Sequence, residues 1–174
     1  MTETRTLTPR MAGGLTAVAV IGSGVVFLLA TAGLLNALAA QRPLPHLLRQ
    51  GAVTAHVASV LLALPLGISQ LVLPKGTVRH RTVGYVWLAL MVFTALVSFA
   101  VHTINPGGLS YIHLFSLLTL VTAPVIAWSG RTGRVSRHQR AVLGLMIGGL
   151  VIAGLFTFVP GRVMGELAMG LLGR

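Results

Sequence analysis

Four stretches of this chain carry no charge at all: Met11 to Gln41, Gly51 to Pro74, Thr82 to Gly130, and Ala141 to Gly161. These runs constrain the fold more than any motif does, because a membrane-spanning helix needs about 20 consecutive apolar residues. Only 9% of the 174 residues are charged, where soluble domains carry about 25%. The chain is therefore expected to be an all-α integral membrane protein. The 49 uncharged residues from Thr82 to Gly130 are too many for one span. Asn105-Pro106-Gly107-Gly108 is a strong break, so this run is read as two helices joined by a tight hairpin.

Five transmembrane helices follow, over about Gly13–Ala40, Gly51–Leu73, Arg79–Ile104, Leu109–Trp128 and Ser136–Val159. The first apolar run is about 30 residues, longer than the 7–15 of a signal-peptide core, so it is expected to stay as a helix. The organisation divides into 1–50 (tail, first helix and interfacial loop), 51–160 (a four-helix core) and 161–174 (a short interfacial tail). Of the 13 basic residues, nine fall on the N-terminal tail and the second and fourth loops. The excess of Lys and Arg on cytoplasmic loops then places the N-terminus inside and the C-terminus outside a bacterial inner membrane.

The net charge of +11 comes from residues at the ends of apolar runs. That fits the membrane pattern, and no nucleic-acid partner is expected. With no cysteine, thiolate metal sites and thiol catalysis are excluded. The only acids, Glu3 and Glu166, lie near the ends of the chain, which excludes paired-carboxylate chemistry and carboxylate proton relays inside the membrane.

The remaining chemistry rests on histidine. His56 to Arg81 and His113 to Arg140 share one plan. Each opens on His-x-x-Ser (Ser59, Ser116). Each continues through an apolar run with a proline (Pro65, Pro124) to a basic loop with Gly-x-Val, and closes on Arg-His. Helices two and three, and four and five, are thus read as a pseudo-repeat forming a four-helix bundle. From His56 to Leu73 is about 26 Å of helix rise. His56 and His113 then share the outer leaflet, and His80 and His138 the inner one.

Two facing pairs of imidazoles, one per leaflet, are what two bis-histidine b-type haems need. Arg79, Arg81, Arg137 and Arg140 flank the inner pair as partners for propionates, and Tyr111 stands beside His113. Another reading has His80 and His138 binding lipid phosphate at the headgroups. A third takes His102 as an extra outer ligand, joining His56 and His113 in a zinc or copper site. Gly144-x-x-x-Gly148 reads as a helix-packing face. Trp87 and Trp128 read as interface anchors or packing.

The run Lys75-Gly76-x-x-x-His80-Arg81-x-x-Gly84-Tyr85-x-Trp87, followed by Ile112-His113-Leu114 and His138, resembles an uncharacterised bacterial membrane protein family, domain-of-unknown-function family 2306. More distantly, the architecture is similar to cytochrome b-561 proteins. That resemblance implies four core helices that each give one haem ligand, paired second with fourth and third with fifth. It matches His56 to His113 and His80 to His138. The function expected is that of a di-haem, cytochrome-like membrane protein that passes electrons across the bilayer. Membrane lipids and a quinol or other small-molecule donor or acceptor are the expected partners, and a homo-oligomer is compatible with the pattern. The alternative is a haem-free structural, lipid-interacting or small-molecule transport protein.

Overall fold

A computed structural model describes residues 9–40, 50–101, 108, 110–159 and 161–171. Among them all the regular secondary structure is helical. The helices are α1 (Pro9–Ala39), α2 (Gly51–Val72), α3 (Val78–Ser98), α4 (His113–Arg131), α5 (Val135–Phe156) and the short α6 (Val163–Leu171). The first five are long and apolar enough to cross a membrane. This is a multi-pass helical membrane protein.

The outside of each span explains why. Leu28, Leu62, Phe93, Leu96, Leu117 and Val121 are all well exposed, a surface that only hydrocarbon would cover favourably. The interior is a small apolar core of Leu64, Trp87, Leu145, Met146 and Leu150, each no more than 2% exposed. Neighbouring spans in sequence pack together, and α1 closes the arrangement by lying against both α2 and the later part of α5.

The turns between α2 and α3 and between α4 and α5 are built alike. Pro74 follows α2 and cannot continue it. Gly76 then takes a φ of 76° and Gly133 a φ of 68°, a left-handed conformation that costs glycine nothing. Thr77 caps α3 by accepting a hydrogen bond from the His80 backbone N–H at 3.0 Å. These turns carry Lys75, Arg79, Arg81, Arg131, Arg134 and Arg137, so one end of the bundle is strongly basic. It is called the turn end below.

At the other end α3 stops sooner than the apolar run suggests. Regular helix gives way after Ser98 to tighter i→i+3 bonds, with Phe99 donating to Leu96 and Val101 to Ser98. The expected hairpin at Asn105-Pro106-Gly107 lies outside the described residues, as do His102 and Ile104. His113 is thereby the first residue of α4, not part of its second turn.

Within α5 the turns widen to π-helix over Met146–Ile152. Gly148 and Gly149 sit there, with the Leu118 and Thr119 side chains of α4 close against them. Gly144 faces open space, so Gly144 and Gly148 do not share one tight interface. The tail forms α6, whose Met164, Gly165 and Leu167 are buried and pack on α1. A Cβ at Gly165 would collide with the backbone oxygen of Val159, which cannot swing aside. Gly165→Ala is therefore expected to loosen α6 from α1, seen as faster proteolytic clipping after Arg162 with the bundle itself intact.

Candidate functional site

Each predicted histidine within the described residues sits near one end of the bundle, in two layers. In the layer away from the turns, His56 and His113 both point onto the last turns of α3. The His56 Nδ1 lies 3.2 Å from the Thr94 carbonyl. A carbonyl only accepts, so Nδ1 carries the proton and the neutral ring keeps its lone pair on Nε2. One turn along α2, the Ser59 hydroxyl donates to the His56 carbonyl at 2.8 Å and accepts from the Thr94 hydroxyl at 2.7 Å.

His113 repeats this docking four residues further along α3, with the ring turned round. Its Nδ1 accepts from the Ser110 backbone N–H at 2.9 Å. Its Nε2 therefore carries the proton and donates to the Ser98 carbonyl at 3.1 Å. Ser116, one turn along α4, meets the Ser98 hydroxyl at 2.5 Å. The ring is 5% exposed and stacks on Phe99 at 5.6 Å. So each His-x-x-Ser motif grips one α3 residue twice, by its carbonyl and by its hydroxyl. Thr94 and Ser98 are four apart and share a helix face.

In the turn-end layer, His138 lies on the first turn of α5, and its Nδ1 is 3.0 Å from the Ile126 carbonyl of α4. This is the His56 attitude again, with Nε2 left uncommitted. The ring lies over Gly130, where any Cβ would come within 3.2 Å of Nδ1. His80 is half-buried on α3, within electrostatic reach of His138 and Lys75. Its Nδ1 is buried without a hydrogen-bond partner. One turn further, Gln70 of α2 is 8% exposed, and its amide oxygen presses on Gly84.

The supporting residues are placed as follows. Arg79, Arg81 and Arg137 are exposed at the turn end, and Arg137 stacks over Trp128 at 5.2 Å. Arg140 donates to the Ser136 carbonyl at 3.3 Å. Tyr111, at the opposite end, accepts from Arg162 at 3.1 Å and meets Phe156 edge-on. His102 lies outside the described residues. Among those that are described, no three His or acidic side chains gather as a metal centre.

Sequence reading did not find Thr94, Ser98, Ser110 or Gln70. The serines of the two His-x-x-Ser motifs were a signal that a polar partner was needed. Nothing in the spacing says that α3 supplies it. No family model, curated protein or solved structure matches the chain.

Proposed function

We propose that this protein holds b-type haem between its helices and carries electrons across the bilayer, with the basic turn end facing the cytoplasm of a bacterial cell. One observation supports this most directly. At opposite ends of the bundle, His56 and His138 each give Nδ1–H to a backbone carbonyl of an adjacent helix and leave Nε2 free. That anchoring sets the tautomer and aim of a ligating imidazole.

The fit differs between the ends. At the turn end, His138 is ready to ligate and His80 has a buried nitrogen without a partner. His80 with His138 is therefore the first haem site, with Arg79, Arg81, Arg137 and Arg140 as cations for its propionates. At the other end His56 fits. His113 fits only by giving up the Ser98 carbonyl, since both its nitrogens are engaged. His56 with His113 is the second site, with Tyr111 two residues before His113 in the chain. Haem would supply a reversible one-electron store at each level. The chain's own part is to aim the imidazoles and keep the path dry. A membrane quinol is a fitting electron donor or acceptor.

The test is a reduced-minus-oxidised visible spectrum of the purified protein, with haem quantified. About two haems per chain are expected, and His138→Ala should remove about one. A colourless protein after expression with ample haem overturns the reading.

A second reading rests on His113. A histidine that uses both nitrogens inside the protein acts as a fastener, and together with the His56 contact to Thr94 it would hold α4 and α2 to α3 in a haem-free bundle. Full stability and no haem in the wild type would select it.

A further inference from the structure

Between α3 and α4 lies an open apolar groove of about 540 Å³. It exists because small residues stand where the helices would otherwise close up: Ala89 on α3, and Ala123, Pro124 and Ala127 on α4. Along α3 it runs from Tyr85 to Leu96, about 16 Å of helix rise. One leaflet of hydrocarbon is about 15 Å deep. The groove is therefore about as long as a single acyl chain, and it runs from about 10 Å of rise inside the turn end of α3 to near its far end at Ser98.

Its turn-end mouth is basic. Arg131 donates from Nε to the Tyr85 hydroxyl at 2.9 Å and lies 5.4 Å from the centre of that ring. Arg134 and Arg137 stack over Trp128, which follows the groove residue Ala127. No described acidic side chain offsets these cations. Glu166 is on α6, which packs on α1.

We propose that this groove is a specific site for one anionic phospholipid, with an acyl chain along Ala89, Ala123 and Pro124 and its phosphate on Arg131 and the Tyr85 hydroxyl. The guanidinium supplies charge-assisted bonds to phosphate oxygens. The mouth sits where surface charge and hydrocarbon meet. This site uses none of the histidines and is independent of whether haem binds.

The test uses the full purified chain with phosphatidylglycerol and phosphatidylcholine of matched acyl chains, read by native mass spectrometry. One phosphatidylglycerol should be retained with at least about tenfold preference, the equivalent of one charge-assisted contact. Arg131→Gln should remove the preference. Ala123→Leu should weaken retention of both lipids by filling the groove. Thermal melting of each variant confirms that it folds, and unchanged haem content of Arg131→Gln separates this site from the haem proposal. Equal retention of the two lipids, a quinone in place of the phospholipid, or an undiminished preference in Arg131→Gln would each overturn it.

Discussion

Replacing His113 with alanine is expected to destabilise the protein by about 1–3 kcal/mol, since it leaves the part-buried Ser110 N–H without its partner. The Ser98 carbonyl loses one donor but keeps the Val101 N–H. The stacked Phe99 would also lose its neighbour. His113→Gln separates two roles. Its amide can donate to the Ser98 carbonyl, so a good part of the stability should return, but an amide is no haem ligand. The measurement is unfolding in mixed micelles alongside the haem spectrum. A wild-type spectrum that loses one haem in a folded His113→Gln protein supports ligation. A His113→Ala protein as stable as wild type would sink the fastening role of this residue.

The membrane fold was readable because it depends on a local property. Charge-free length decides whether a segment spans, and all five helices fall on the expected spans with their ends shifted by up to six residues. The two basic turns were readable for a similar reason, since Pro74, Gly76 and Gly133 act on their own backbone. What stayed hidden depends on which helix lies beside which. Ser59 and Ser116 announce a polar need, yet Thr94 and Ser98 answer it only because α3 passes between α2 and α4. The early end of α3 at Ser98 was hidden too, because Phe99 to Ile104 is as apolar as the helix before it. Gly144 and Gly148 have the spacing of a packing face, but the widened turns that begin at Met146 follow contacts with α4 that no spacing records. Trp87 could be read as an anchor or as packing. The structure makes it packing, and Trp128, stacked with Arg134 and Arg137, the residue at the basic end.

Trp87→Ala is expected to cost about 3–5 kcal/mol, the range for deleting a buried aromatic side chain. Trp87 is 1% exposed and is the largest fully buried side chain. Between membrane helices the loss is one of packing contacts, because lipid is as apolar as the core. Gly67 on α2 makes the claim sharper. A Cβ there would stand 2.6 Å from the Met146 Sδ and 2.8 Å from the Trp87 Nε1. Gly67→Leu should therefore overpack the same spot, at about 1–3 kcal/mol. Combined, the two changes should offset each other, since the leucine enters space the indole vacates. A coupling of about 1–2 kcal/mol in the favourable direction is expected for residues that share one cavity. Trp87→Phe gives an independent check. The indole N–H is buried without a partner, so removing it returns part of what the smaller ring loses, and this variant should sit close to wild type. The double-mutant cycle, read by unfolding in mixed micelles, decides the matter. If the single costs simply add, Gly67 and Trp87 do not meet in the membrane as the structure has them.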